Sequence, residues 1–190
     1  MTDLIKKSLA NLAQNYSQDL LNKAKAIKLV ICDVDGVLSN GKVYFGNENE
    51  ELKSFNIKDG LGIKQLLNNG IQVAIITGRE SNIVSRRSKE LGISHVYQGK
   101  KDKIASYDEI LVSLNLKPDQ VAHVGDDLPD IPLMNRSGLG ICVSDAHFFV
   151  KQNADWSTSS IGGDGAVREI SDLLLYSQGK LQSILENYLS

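Results

Sequence analysis

Five short apolar runs, at 29–32, 73–76, 95–97, 121–124 and 139–143, alternate with segments whose apolar residues recur at helical spacing. Runs this short, bounded by turn residues, read as buried strands. Helices predicted over 60–68, 82–91, 103–116 and 129–135 separate them. Asn69-Gly70 and Gly92 close the first two, and Pro118 stops the third. Strands joined through helices pair in parallel by right-handed crossovers. The expected fold class is therefore α/β, a doubly wound parallel sheet of Rossmann-like type.

The remaining chain adds three features. Leu4, Leu9, Leu12, Leu20, Leu21 and Ala24 predict one amphipathic helix over about 3–25, and further helices are expected over 165–177 and 179–188. Between the first strand and the next helix, Val43-Tyr44-Phe45 and Leu52-Lys53-Ser54-Phe55 flank the polar Gly46-Asn47-Glu48-Asn49, the pattern of a β-hairpin. The expected organisation is a helical extension over 1–26 and one globular domain over 27–190. The hairpin is inserted at about 39–58, and the C-terminal tail is helical.

A hydrophobic fraction of 42% and a charged fraction of 23% are those of an ordinary soluble protein. A formal charge of -2 gives no basic field for nucleic acid or an anionic membrane. Cys32 and Cys142 sit inside apolar runs and read as buried free thiols of a reducing compartment. With no spanning-length apolar run and no leader-like N-terminus, the cytoplasm is the expected location.

Chemistry-bearing residues gather at the C-terminal ends of four strands. These are Asp33-Val34-Asp35-Gly36-Val37, Thr77-Gly78-Arg79, Gly99-Lys100-Lys101-Asp102-Lys103 and Gly125-Asp126-Asp127-Leu128-Pro129-Asp130. Parallel strands present these ends to one edge, where open α/β sheets bind ligands. Taken singly, each loop has an ordinary explanation, as a turn cap, a common loop or a solvated charge. Their order over four successive junctions does not.

The combination suits phosphoryl transfer. Asp33 and Asp126, with a backbone carbonyl, form a hard-oxygen site for Mg²⁺, while His95, His123 and His147 are too scattered for a softer metal centre. With its repulsion toward a phosphate offset, Asp33 can attack phosphorus. Thr77 and Lys103 would hold the phosphoryl oxygens. Asp35 would protonate the leaving alkoxide and then deprotonate the hydrolytic water.

In this order the four motifs resemble those of the haloacid dehalogenase superfamily of phosphatases. The resemblance implies that Asp33 is nucleophile and metal ligand. Asp35 is then the acid/base that lends its carbonyl to Mg²⁺, and Asp126 is the last protein ligand. Thr77, Gly78 and Lys103 bind phosphate. The supporting acid is Asp127 or Asp130, with Asp130 favoured to hold Lys103 or a metal-bound water.

Further segments are similar to the 3-deoxy-D-manno-octulosonate 8-phosphate phosphatase family. They include Glu51-Leu52-Lys53, Phe55-Asn56-Ile57-Lys58-Asp59-Gly60, Ser144-Asp145-Ala146-His147 and Gly162-Gly163-Asp164-Gly165-Ala166-Val167-Arg168-Glu169. This likeness spans about 28–180. It implies a keto-sugar acid phosphate substrate, a step toward lipopolysaccharide precursor, and substrate contacts from Asn56, Ile57, Lys58, Asp59 and Gly60. Lys64, Arg79 and Arg87 join Lys58 as candidate readers of the sugar-acid carboxylate. Lys64 stands where Arg is usual in the family. Arg86, Lys100 and Lys101 read as solvated surface charges.

The 20 residues at 39–58 leave no room for a large cap domain. An isolated hairpin is marginally stable, and Val43, Tyr44, Phe45 and Phe55 are too apolar to face water. Oligomerisation in which neighbouring subunits serve as caps is therefore expected, and the resemblance implies a homotetramer. The rival substrates are an acylneuraminate 9-phosphate or a broader set of sugar phosphates. A phospho-accepting signalling module fits the residue types, but its acceptor Asp follows a later strand. A catalytically silent subunit and a phosphomutase complete the alternatives; four intact motifs oppose the first and the missing cap the second.

Overall fold

The computed structural model describes residues 2–48 and 50–189; Asn49 of the expected hairpin turn lies outside them. All five expected strands form. They are β1 (Leu29–Cys32), β4 (Gln72–Ile76), β5 (His95–Tyr97), β6 (Val121–Gly125) and β7 (Leu139–Cys142). A sixth, β8 (Trp156–Ser157), was too short to leave a periodic signal. Every pairing in this sheet is parallel, in the order β5-β4-β1-β6-β7-β8. Strand order reverses beside β1, so the crevice for a ligand opens at the end of the strand that carries Asp33.

The helices α3 (Ile57–Asn68), α4 (Asn82–Leu91), α5 (Lys103–Leu114) and α6 (Ile131–Met134) connect the strands. After them come α7 (Phe148–Asn153), α8 (Ala166–Ser177) and α9 (Leu181–Asn187). Two helix boundaries bear on the site. Helix α3 begins three residues earlier than expected because Asn56 caps it, its Oδ1 accepting from the Lys58 amide at 2.8 Å. The stretch expected as one helix from Pro129 is a 3-10 turn over Leu128–Asp130 followed by α6.

The N-terminal segment departs from expectation. One helix over about 3–25 is two, α1 (Thr2–Ala13) and α2 (Gln18–Ala26). Ser17 breaks it with extended backbone and caps α2, its hydroxyl accepting from the Leu20 amide at 3.2 Å. The break lets Tyr16 turn inward, edge-on to Trp156 at 5.9 Å between ring centroids. Tyr16, Leu20, Ala24 and Ile27 join the apolar layer that α8 shares with the sheet.

The sheet is sandwiched between two such layers. One is built from Val30, Cys32, Val73, Ile75, Val124 and Ile141 with Ile170 and Leu174 of α8. The other holds Leu29, Ile31, Ala74, Ile76 and Val121 against Tyr107, Ile110 and Leu133. Alternate residues of β1 face opposite layers, as a strand covered on both sides requires. Cys32 and Cys142 are buried free thiols.

The hairpin forms as a separate sheet, β2 (Tyr44–Phe45) antiparallel to β3 (Glu51–Leu52), with Tyr44 opposite Leu52. It is shorter than expected and leaves Tyr44, Phe45 and Leu52 exposed, Phe45 at 73%. No helix among the described residues is long and apolar enough to cross a membrane.

Candidate active site

The four loops converge as the topology requires. Asp33 is fixed at the end of β1 by its amide, which donates to the Val124 carbonyl at 3.0 Å. The chain then turns tightly, with the amides of Leu38 and Ser39 both donating to the Val34 carbonyl. Gly36 makes this turn at φ 98°, where a Cβ would lie 2.1 Å from Asp126 Oδ2. The loop rests on a glycine turn from far along the chain. The Gly163 amide donates to the Val37 carbonyl at 2.8 Å, and a Cβ on Gly162 would strike the Gly36 oxygen at 1.7 Å. This explains why a Gly-Gly pair precedes α8.

Lys103, at the first position of α5, is buried, and its ammonium bridges Asp33 Oδ1 at 2.9 Å and Asp130 Oδ1 at 2.7 Å. Of the two candidate supporting acids, Asp130 is therefore the one beside Lys103. Its Oδ2 accepts from the amides of Asp126 and Asp127 at 3.1 and 3.4 Å. Asp127 instead caps the 3-10 turn, its Oδ1 accepting from the Leu128 amide at 2.8 Å.

Electrostatics separate the carboxylates. Burial pushes Asp33 up, reinforced by Asp130 and opposed by Lys103. Asp126 is pushed up to about 7, first by burial and then by Asp33, Asp130 and Asp127. Burial would raise Asp130 too, but the His123 and Lys103 contacts hold it below the usual carboxylate range. Oxygens of Asp33, Asp126 and Asp130 lie within 4.8 Å of one another. Both Asp130 oxygens are already committed, whereas the Asp126 carboxylate has no hydrogen bond or ion pair among the described residues. An under-compensated pair of hard oxygen donors fits a divalent cation such as Mg²⁺.

One cavity of about 350 Å³ collects Asp33, Asp35, Thr77, Gly78, Arg79, Lys103, Asp126, Asp127 and Asp130, within the size range of small-molecule sites. Thr77 is buried at the end of β4, its amide on the Tyr97 carbonyl at 2.9 Å. The loops after β4 and β5 are tied by Gly99 N to Arg79 O and Lys100 N to Thr77 O, each at 3.1 Å. That tie brings Lys100 and Lys101 to the cavity as well, and neither meets an acid among the described residues. Both stay exposed, as expected, at the rim of the cavity.

Lys53 was not anticipated. Its side chain, 1% exposed, is ion-paired with Asp35, and Glu51 Oε1 stands 3.6 Å from both Lys53 Nζ and Arg79 Nη2. Arg79 completes the group, 3.6 Å from Asp35 Oδ2. A lysine in a short hairpin carries no signal of this in sequence; only the folded hairpin buries it, and a buried charge needs a partner.

Other expected substrate contacts lie elsewhere. Asp59 is buried and its carboxylate caps α8, accepting from the amides of Arg168 at 2.8 Å and Gly165 at 3.2 Å. Ligand contact through that carboxylate is corrected to a structural cap, because a buried carboxylate takes the orphan amides of the adjacent helix start. Asn56 Nδ2 donates to Asp164 at 3.0 Å. Ile57, Gly60, Lys64 and Arg87 line a hollow between α3 and α4, separate from the Asp33 cavity. Arg87 there pairs with Glu90 at 3.0 Å and lies over the Phe55 ring. Lys58 is exposed and lines neither.

Known proteins bear on this geometry. The family model of haloacid dehalogenase-like hydrolases matches residues 81–170. The 3-deoxy-D-manno-octulosonate 8-phosphate phosphatase of Escherichia coli K12 is 50% identical over 178 residues, 92% of this chain and 95% of that protein. The crystal structure of the Yersinia pestis enzyme of the same name superposes with a TM-score of 0.87 at 48% identity, covering 88% of this chain and 90% of that one. That of the Moraxella catarrhalis enzyme, in complex with magnesium, phosphate and KDO, gives 0.89 at 40% identity, covering 91% and 99%. At 40 to 50% identity to these enzymes over nearly its whole length, the chain belongs to the 3-deoxy-D-manno-octulosonate 8-phosphate phosphatase family of the haloacid dehalogenase-like hydrolases.

Proposed function

We propose that the protein is a Mg²⁺-dependent phosphoric monoester hydrolase that removes phosphate from 3-deoxy-D-manno-octulosonate 8-phosphate. The observation that carries the reading is one cavity in which Asp33 and Asp126 face Lys103 and the Thr77 loop. In a family this similar, that arrangement is a phosphate-ester site. Asp33 and Asp126, with the Asp35 carbonyl, would hold the metal. When bound, Mg²⁺ supplies the positive charge that lets an anionic nucleophile approach a phosphate.

The chain's own residues do the rest. Asp33 attacks phosphorus as the ester P–O bond breaks, and Asp35 gives its proton to the departing sugar oxygen. Lys103 and Thr77 stabilise charge on the transferring phosphoryl oxygens. Asp35 then takes a proton from water, whose oxygen displaces Asp33 from phosphorus and frees inorganic phosphate. Arg79, at the cavity mouth, is placed to meet the carboxylate of a keto-sugar acid.

Ile57, Lys58, Gly60, Lys64 and Arg87 reach such a substrate only if a second copy brings its α3–α4 face over the cavity. The exposed Tyr44, Phe45, Leu52 and Ile57 supply an apolar surface for that assembly, a homotetramer in this reading. The protein is a cytoplasmic enzyme in which residues 27–190 form the catalytic domain and 1–26 an extension. Light scattering on the purified protein, and on a Phe45→Glu variant, tests the assembly. Phosphate release from the eight-carbon ester, an acylneuraminate 9-phosphate and common hexose phosphates, with and without Mg²⁺ and with Asp33→Asn as blank, tests the chemistry. Equal rates on all esters would defeat the assigned substrate, and no Mg²⁺-dependent release would defeat the enzyme reading.

A further inference from the structure

His123 lies in the middle of β6, with a wholly buried side chain and nothing yet to do in the reaction. Alternation along the strand places it on the same face as Val121, under α5 and α6 and against the layer of Ile31, Tyr107, Ile110 and Leu133. An apolar side chain would suit that layer. The imidazole instead keeps Nδ1 without a hydrogen-bond partner among the described residues, while Nε2 stands 3.4 Å from Asp130 Oδ1. A buried ring nitrogen without a partner is unfavourable, which leaves the contact at Nε2 as the polar interaction that accounts for an imidazole here.

That nitrogen meets the carboxylate that organises the site. Asp130 Oδ1 receives Lys103 and His123, and Oδ2 receives the amides of Asp126 and Asp127. Gly125 is closed to any side chain, since a Cβ would stand 2.2 Å from the Asp130 Cβ. An ionised carboxylate only accepts, so the tautomer that fits carries its proton on Nε2. The Lys103 ammonium is shared between this carboxylate and Asp33, at 2.7 and 2.9 Å.

We propose that His123 is a positioning residue for the phosphoryl-transfer step: by donating from Nε2 to Asp130 Oδ1 it fixes the carboxylate that draws Lys103 partly off Asp33. The nucleophile then keeps a lone pair for phosphorus, and the ammonium stays aimed into the cavity. Without the donor, Asp130 rotates about its Cβ–Cγ bond and Lys103 settles on Asp33, masking it. The effect falls on the chemical step and not on capture of the ester. This inference rests on the phosphatase reading.

Two measurements test it. Nitrogen-15 spectra of histidine-labelled protein without metal, with the His123 signal identified by its loss in His123→Gln, report where the ring proton sits. The proton is expected on Nε2. Steady-state kinetics of the metal-loaded enzyme then compare His123→Phe with His123→Gln, whose amide nitrogen can reach the same oxygen. Phe is expected to lower kcat about tenfold with KM changed less than twofold, and Gln to restore most of kcat. A proton on Nδ1 overturns the inference. So does an unchanged kcat in the Phe variant, or an equal loss in both variants, which would signify packing alone. Should wild-type protein hydrolyse no ester, the phosphatase reading fails, and the tautomer still decides whether the Asp130 contact exists.

Discussion

Lys53 and Asp35, 18 residues apart in sequence, form an ion pair that seats the hairpin on the loop following β1. The hairpin is thus more than a lip around the cavity. It delivers a cation to the carboxylate assigned the proton transfers, and Glu51 beside it holds Arg79 from the other side.

Replacing Lys53 by Met leaves Asp35 with Arg79 and the Ser39 hydroxyl, 3.6 and 3.5 Å away, as its remaining side-chain partners. We expect kcat/KM to fall about tenfold, ~1.4 kcal/mol of transition-state stabilisation. Stability should drop as well, by no more than ~3 kcal/mol, because Asp35 retains solvent contact. Steady-state rates beside thermal melts check both, and an unaltered kcat/KM would remove Lys53 from the site.

Lys103→Met should cost more, a kcat loss of about 10²- to 10³-fold, typical of removing one preorganised charge stabiliser. The variant also leaves Asp33 and Asp130 facing each other without their shared cation. Its stability deficit should therefore be large at pH 7 and shrink as falling pH protonates the two carboxylates. A deficit that does not vary with pH would contradict the shared-cation geometry.

Metal-free protein should grow less stable as pH rises from about 4 to 7. The sign follows from Asp126, held at about 7 when folded and in the ordinary carboxylate range when unfolded. Between those values the folded state keeps a proton that the unfolded state has released, so raising pH favours unfolding. Asp33, Asp59 and Asp172 are also raised and act in the same direction. Excess Mg²⁺ should flatten the slope by replacing protons on Asp33 and Asp126. Thermal melts in chelator and in Mg²⁺ across this range are the check, and a flat chelator series would refute the assigned burial of charge.

Lys100 and Lys101 reach the cavity without acidic partners, so they should draw anionic esters toward it. Changing both to Gln is expected to lower kcat/KM several-fold at low ionic strength. The difference should disappear near ~0.5 M salt, where the screening length falls to a few ångströms. A deficit that persists at high salt would instead signify direct substrate contact.

Sequence reasoning reached the parallel sheet and the convergence of Asp33, Thr77, Lys103 and Asp126, because each is a local event at a strand end. It did not reach relations between distant segments. Asp59 reads as a loop carboxylate until α8, more than a hundred residues on, presents its bare amides. Lys53 reads as a hairpin surface charge until Asp35 is seen beneath it. The helix break at Ser17 exists so that Tyr16 can meet Trp156, 140 residues away. Lys100 and Lys101 give no sign in sequence of reaching the cavity, because their place depends on two loops tied backbone to backbone.

The glycine turn at Gly162 and Gly163 has a consequence for how the molecule is made. The loop carrying the nucleophile leaves the ribosome before the surface that shapes it, which lies more than a hundred residues further on. Until that turn arrives to take the Val37 carbonyl and close over Gly36, a nascent chain holds Asp33 and Asp35 without the wall that orients them. The geometry around Asp33 is therefore completed late in synthesis. A chain stalled before residue 160 lacks both that turn and α8, whose Ile170 and Leu174 cover one face of the sheet, and cannot yet turn over substrate.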